Sequence, residues 1–594
     1  MHYGPVSTPP SDEVLARFSA PTRAWFEGAF PAPTGAQLGA WDSISSGAHT
    51  LVVAPTGSGK TLSAFLWALD RLVQRDAAAD DSVRGTRVLY VSPLKALAVD
   101  VERNLRSPLV GITQTAKLQG VAPPEISVGV RSGDTSPADR RAMLKTPPDI
   151  LITTPESLFL MLTSAARETL QTVDTVIVDE VHAVAGTKRG AHLALSLERL
   201  DAALERPAQR IGLSATVRPH EEVGRFLTGS APIRIVAPAS PKTFDLSVRV
   251  PVEDMTELGT SEPQEGSASA APQQGSIWPH VEAQIVDLVL EHRSSIVFAN
   301  SRRLSERLTA RLNEVYAERL GEGVPTDHAP PSQIGSSGEV VHGSEPLLAR
   351  AHHGSVSKDQ RALIEDDLKS GRLKCVVATS SLELGIDMGA VDLVVQVEAP
   401  PSVASGLQRV GRAGHQVGEI SRGVLFPKHR TDLIHCAVTV QRMTEGHIEA
   451  LQVPANPLDI LAQQTVAACA LEPIDADEWF DTVRRTGNFA TLPRSAFEST
   501  LDLLSGRYPS DEFAELRPRL VWDRDGGSLT GRPGAQRLAV TSGGAIPDRG
   551  LFGVFMVGEK ASRVGELDEE MVYESRVGDV FALGATSWRI EEIT

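Results

Sequence analysis

The segment APTGSGKT (54–61) follows the apolar run LVV (51–53) and precedes TLSAFLWALDRL (61–72), whose apolar positions recur at helical spacing. Strand, glycine loop and helix in that order fit a parallel α/β layer, with the loop at the carboxyl end of a buried strand. In the loop Pro55, Thr56, Gly57, Ser58 and Gly59, the backbone N–H groups of the four residues after Pro55 would form a cradle around phosphate. Lys60 would reach the β- and γ-phosphates, and the Thr61 hydroxyl would ligate Mg²⁺.

The alternation continues along the chain. VLYVSP (88–93), ISVGV (126–130), ILITTP (150–155), VIVDE (176–180) and IGLSAT (211–216) are further buried parallel strands separated by helical stretches. A second series, SSIVFAN (294–300), CVVATS (375–380), VDLVVQV (391–397) and GVLF (423–426), predicts a second α/β domain. Two stretches rich in Ser, Gly, Pro and Glu, at 254–274 and 321–346, cannot build a core and are expected as surface insertions. Helical patterns at 457–470, 477–485 and 494–504, then a DG turn signal within LVWDRDGGSLTGRPGAQRLAV (520–540), predict a winged-helix module. Strands GVFMV, SRVGEL, EMVYES, DVFAL and SWRIEEI dominate from 550 to the last residue. The expected domains are 11–238, 239–430, 431–545 and 546–594, the last being the start of a β-rich domain in a longer protein.

In VIVDEVH (176–182), two adjacent carboxylates end a buried strand. Asp179 is placed to hold the Mg²⁺ shell and Glu180 to polarise an attacking water. His182 would hydrogen-bond toward Ser214 and Thr216 and so sense the bound nucleotide. In LQRVGRAGH (407–415), Gln408, Arg409 and Arg412 share a surface if the segment opens a helix. Arginines supplied from a second domain would stabilise charge on a transferring phosphoryl and make hydrolysis depend on closure. ATSSLELGIDMG (378–389) puts Thr379 and Ser380 at a strand end suited to phosphate contacts, with Gly385 and Asp387 near the inter-domain cleft.

A net charge of −17, from 58 basic and 75 acidic residues, excludes nucleic-acid binding through a global positive field. Any such binding must use local grooves. The 3 cysteines, Cys375, Cys436 and Cys469, form no CxxC pair and suggest buried reduced thiols rather than a metal site. There is no basic-then-apolar leader and no apolar run of about 18 residues, so a cytoplasmic protein without membrane partners is expected.

In order and spacing, Gln37, APTGSGKT, SPLKALAVD, TTPESL, DEVH, SAT, VFANSR, ATSSLELGIDMG and QRVGRAGH resemble the motifs of superfamily 2 helicases of the DEAD/DEAH type. SPLKALAVD, AHHGSVS, SSLELGIDMG and VDLVVQVEAP resemble the large helicase-related (Lhr) family. The resemblance implies two tandem RecA-like domains followed by a winged helix, and a translocase that spends ATP to move 3′ to 5′ on single-stranded DNA. It also implies unwinding of duplex DNA or RNA:DNA hybrids and a link to DNA repair. By the same resemblance Gln37 reads the adenine edge. Ser92, Pro93, Lys95, Arg131, Thr135, Thr154, Pro155 and Glu156 would line the strand path on the first domain, and Asn300, Arg302, Gly354, Ser355, Thr379 and Ser380 on the second.

Trp588 either packs in a core or, beside Arg589 near a channel exit, stacks on a base. Two other functions fit the motifs, an RNA-dependent ATPase that separates short duplexes locally and an ATP-gated recruitment scaffold. Oligomeric state is left open, a monomer being compatible with every reading.

Overall fold

The structure is a computed structural model, which describes residues 9–55, 57–76, 85–123, 125–238, 243–255, 276–321, 347–354, 356, 358–385, 388–414, 419–508, 516–546, 551–557, 563–568, 572–573, 575–578, 580–583 and 586–593. Seven strands, β1 (His49–Val53), β2 (Val88–Val91), β3 (Val128–Arg131), β4 (Ile150–Thr153), β5 (Thr175–Val178), β6 (Gln209–Ser214) and β7 (Ile233–Val236), form one sheet in the order β3-β4-β2-β5-β6-β1-β7. Every pairing is parallel. Alternate residues feed two cores. Leu51, Leu89, Leu151 and Val176 face one helical layer, and Val52, Tyr90, Ile152 and Ile177 face the other. Burial on both faces is why these runs are apolar throughout instead of alternating.

The second sheet holds β8 (Phe244–Val248), β9 (Ser295–Phe298), β10 (Ala349–His352), β11 (Cys375–Ala378), β12 (Leu393–Val397) and β13 (Ser421–Phe426), in the order β10-β11-β9-β12-β13-β8. It too is parallel throughout. The two Ser- and Pro-rich stretches fall almost wholly outside the described residues. Cys375, Cys436 and Cys469 are buried free thiols. Among the described residues no helix is long and apolar enough to cross a membrane.

The three expected helices of the winged-helix region form at Leu458–Ala468, Ala476–Arg484 and Arg494–Ser505. The hairpin pairs β15 (Leu520–Trp522) with β16 (Ser528–Gly531), and Asp523 Oδ1 closes its turn by accepting from the N–H groups of Asp525 and Gly526. Not foreseen within 431–545 were the helix Arg430–Glu445, which falls in the second compact unit described below, β14 (Ile474–Asp475), which joins the hairpin as a third strand, and a helix at Ala535–Thr541. Beyond them β17 (Leu551–Phe555) pairs with β18 (Arg563–Asp568), and β19 (Val580–Leu583) with β20 (Thr586–Arg589). Of the expected strand EMVYES, Val572 and Tyr573 are helical, and Glu570, Met571 and Glu574 lie outside the described residues.

The chain divides into two compact units, each discontinuous in sequence: Met1–Ser240 with Glu449–Ile546, and Pro241–Ile448 with Pro547–Thr594. In the first unit, the helix Lys188–Ala202 carries the winged-helix region. Its Ala191 and Leu195 share a core with Ile460, Trp479, Phe489 and Phe497. Polar bonds tie the same faces. Gln464 Nε2 donates to His192 O at 2.9 Å, and Arg199 Nη1 donates to Gln464 Oε1 at 3.0 Å. Glu198 accepts from both Arg210 (2.8 Å) and Arg485 (3.0 Å). Lys188 pairs with Asp459 at 2.9 Å. Burial lowers the Arg199 pKa to about 10, and its polar partners are what make so deep a guanidinium tolerable.

Candidate active site

Ala54 N–H donates to Ser214 O at 3.1 Å, so the glycine loop leaves the sheet beside β6. Gly57 and Gly59 hold φ values of +84° and +78°, a region open to glycine at little cost. The loop is pinned by Ser58 Oγ donating to Pro55 O (2.7 Å) and Thr34 Oγ1 donating to Ser58 O (2.9 Å). Lys60 and Thr61 then open the helix Lys60–Asp76. The first N–H groups of a helix lack intrahelical partners, so loop and helix together favour an anion. Thr56 lies outside the described residues.

Gln37 is buried and sits three residues into a helix capped by Thr34. Its Oε1 accepts from Thr34 N–H at 2.9 Å while Thr34 Oγ1 accepts from Gln37 N–H at 3.2 Å. A Cβ on Gly59 would stand 2.5 Å from Gln37 Nε2, so this side chain backs directly onto the glycine loop.

β5 delivers the acidic pair, with Asp179 N–H donating to Val91 O at 2.9 Å. Both carboxylates are buried, at 5% and 7% exposure. Asp179 accepts one hydrogen bond on each oxygen, from Glu180 N–H to Oδ1 at 2.9 Å and from the Tyr90 hydroxyl to Oδ2. Burial first, then the charge of Glu180, push the Asp179 pKa up to about 7, against the opposing pull of the Tyr90 bond and the Lys60 ammonium. Glu180 itself has φ +43°, a strained backbone of the kind found at functional sites.

His182 Nδ1 meets Glu180 Oε2 at 3.4 Å, Ser214 Oγ at 3.3 Å and the Ala215 N–H at 3.2 Å. Because the amide must donate, Nδ1 is the unprotonated nitrogen, and the Glu180 contact is not an ion pair. Ser214 is where the sequence placed it. Thr216 is not: its side chain is exposed, and the backbone of Ala215 takes the expected place.

The neighbouring trio of strands, β2, β3 and β4, ends in the other expected groups of the first α/β domain. After β2, Ser92 Oγ donates to Leu94 O at 3.0 Å, Pro93 is buried, and the exposed Lys95 pairs with Asp134 at 2.6 Å. Arg131 closes β3, and Thr135 Oγ1 donates back to Val130 O at 3.1 Å. After β4, Thr154 caps the helix Pro155–Leu162, with Pro155 in its first turn. Glu156 is half-buried and held by Arg189 through both carboxylate oxygens, Nη2 to Oε2 at 2.9 Å. A carboxylate so engaged balances a guanidinium and would not itself meet a phosphate.

In the second unit, β9, β10 and β11 are likewise adjacent and end at Asn300, Gly354, Thr379 and Ser380. Arg302 opens the helix Arg302–Leu320 and is exposed. Asn300 is turned inward: Nδ2 donates to Ala399 O at 2.8 Å and Oδ1 accepts from Arg409 Nη1 at 2.9 Å. Arg409 is also inward, donating to Gln396 Oε1 at 2.9 Å and Glu383 Oε2 at 3.1 Å while lying over the Phe298 ring. Arg412 is buried, its Nη2 donating to Glu383 O at 2.9 Å. Gln408 is half-buried and Gly385 partly exposed. The two arginines therefore converge on Glu383 and do not form an open basic face. Ser355 and Asp387 lie outside the described residues. Trp588 sits on β20 opposite Phe581, half-buried, with Arg589 exposed beside it.

Sequence reasoning missed Tyr90, Glu383, Gln396 and Arg189. The capping role of Gln37 was legible in Thr34-x-x-Gln37, which has the spacing of a capping box.

Three family profiles match in order along the chain: DEAD/DEAH box helicase over residues 34–223, helicase conserved C-terminal domain over 338–416, and the winged helix domain of large helicase-related protein over 441–594. The chain belongs to the large helicase-related family. It is 72% identical over 588 residues to the Lhr helicase/probable uracil glycosylase of Mycolicibacterium smegmatis, covering 98% of this chain and 38% of that protein. With the Escherichia coli Lhr helicase/uracil glycosylase the identity is 56%, over 98% of this chain and 39% of the relative. The chain thus spans about two fifths of these Lhr relatives. A solved structure of the Mycobacterium smegmatis Lhr helicase bound to single-stranded DNA and AMP-PNP superposes with a TM-score of 0.79 at 69% identity, covering 95% of this chain and 66% of that one. The DUF1998 helicase MrfA shares the fold at a TM-score of 0.66 and 21% identity, over 100% of this chain and 72% of the other.

Proposed function

We propose that this chain is an ATP-driven nucleic-acid motor that moves 3′ to 5′ on single-stranded DNA and separates duplex DNA or RNA:DNA hybrids, with DNA repair as its setting. The observation that carries the reading is the meeting, at the carboxyl ends of the adjacent strands β1, β6 and β5, of the glycine loop with the buried Asp179–Glu180 pair and His182. The 69% identical Lhr structure with single-stranded DNA and AMP-PNP supports the same ligands here.

In this reading the loop N–H groups and Lys60 hold the triphosphate, while Gln37 sets the back of the loop and reads the adenine edge. Among the described residues no group of three or more His, Cys, Asp or Glu side chains is placed to hold a metal ion. A divalent cation would therefore take most of its ligands from phosphate and water, as Mg²⁺ does, with Thr61 and Asp179 as its protein side. That cation would supply charge neutralisation on the phosphates. Glu180 takes the proton of the attacking water. Arg412 stabilises charge on the transferring phosphoryl, and Arg409, spent on Glu383, Asn300 and Gln396, holds that turn in shape. His182 lies against Glu180 while accepting from the Ala215 N–H at the end of β6, so a displacement of Glu180 at the nucleotide would press on Ser214 and Ala215. The strand-end hydroxyls, amides and few cations of both sheets contact the phosphodiester backbone, which needs no global positive charge.

The testing experiment is ATP hydrolysis without nucleic acid, then with single-stranded DNA and single-stranded RNA of one sequence. Stimulation by DNA supports the reading. A high rate indifferent to both would refute a strand-coupled motor, and stimulation by RNA alone would turn the assignment to a local RNA-dependent ATPase.

A further inference from the structure

Tyr90 is completely buried in β2, between β4 and β5, with its ring stacked on Phe65 at a centroid distance of 4.8 Å. Its neighbours in this core are apolar: Val52, Ile152, Ile177 and Leu213. A phenylalanine would fill this space, and a buried hydroxyl is unfavourable unless it finds a partner. The Tyr90 hydroxyl finds Asp179 Oδ2.

The arrangement fixes a plane. The terminal torsion of an aspartate side chain is soft, so one hydrogen bond leaves the carboxylate free to rotate. Here each oxygen has its own donor on a rigid element. Oδ1 takes the N–H of Glu180, and Oδ2 takes a hydroxyl from the adjacent strand, where Tyr90 lies opposite Ile177.

We propose that Tyr90 is a positioning residue that locks the Asp179 carboxylate with its remaining lone pairs turned toward a phosphate-bound divalent cation. This rests on reading Asp179 as the Mg²⁺ ligand. Outer-shell partners of this kind are worth about 10- to 100-fold in metal affinity.

The test is equilibrium binding of a fluorescent ATP analogue to the whole chain, titrated with MgCl₂ and repeated in EDTA. Tyr90→Phe should raise the half-saturating Mg²⁺ concentration about tenfold and leave binding in EDTA within about twofold of wild type. An unchanged Mg²⁺ midpoint, or an equal loss in EDTA, overturns the proposal, the second because it signals a packing defect. The Asp179→Asn background supplies an independent check. There Tyr90→Phe should add nothing, and an additive loss would show that Tyr90 does not act through Asp179. Wild-type binding indifferent to Mg²⁺ would instead overturn the metal reading of Asp179, and this role with it.

Discussion

Replacing Gly59 with alanine strains the nucleotide loop in two separable ways. The residue sits at φ +78°, and a Cβ there stands 2.5 Å from Gln37 Nε2. Left-handed backbone costs a non-glycine residue about 1–2 kcal/mol. The clash is with the far end of a flexible side chain, so Gln37 swings aside and gives up its bond to the Thr34 N–H. Weakening that cap adds about 0.5–2 kcal/mol. A combined cost of about 1.5–4 kcal/mol corresponds to roughly 12- to 700-fold in nucleotide affinity, because an unliganded loop relaxes the strain and binding must restore it. Equilibrium titration with a fluorescent ATP analogue measures it. In a Gln37→Ala background only the backbone term remains, and the loss due to Gly59→Ala should shrink to roughly 5- to 30-fold. Binding by Gly59→Ala within about threefold of wild type would refute the reasoning, and an equal loss in both backgrounds would refute its contact half.

Glu180→Gln should abolish turnover while leaving ATP binding intact, because it removes the base and keeps Asp179; single-turnover hydrolysis checks it. Arg412→Ala should lower kcat at least about tenfold, with single-strand affinity little changed; an equal loss of both would move Arg412 to the strand path. His192 is 1% exposed and burial lowers its pKa from 6.5 to about 4. The unfolded chain therefore takes up a proton below pH 6.5 that the folded chain refuses until about pH 4, so stability falls across that window and levels off beneath it. Urea unfolding of the first unit should show this slope, and His192→Phe should flatten it.

The two sheets were legible because strands buried on both faces leave unbroken apolar runs, and the glycine loop and acidic pair were legible because they end such runs. What stayed hidden depends on contacts between distant segments. Tyr90 in VLYVSP looks like any core aromatic, and only the pairing of β2 with β5 shows what its hydroxyl meets. Arg409 is more instructive. Spacing alone suggested a shared surface with Arg412, yet in the helix Val403–Val410 the inward residues include Val403, Gly406, Arg409 and Val410. That apolar periodicity already pointed Arg409 inward. The helix Ala535–Thr541 was passed over because the hairpin signal before it drew the whole segment into strands. Thr216 failed for a different reason: the backbone N–H of Ala215 competes for His182, and no sequence pattern marks that.

The helix Lys188–Ala202 also sets a timetable for synthesis. Arg199 meets Gln464 265 positions later in the chain. At about 5–20 residues per second a ribosome needs roughly 13–50 s to make that stretch. Throughout that interval Ala191 and Leu195 present an apolar stripe with nothing to cover it, and Arg199 waits beside them without its amide. The nascent first α/β domain therefore keeps this part of its surface uncovered until the winged-helix segment emerges and closes over it.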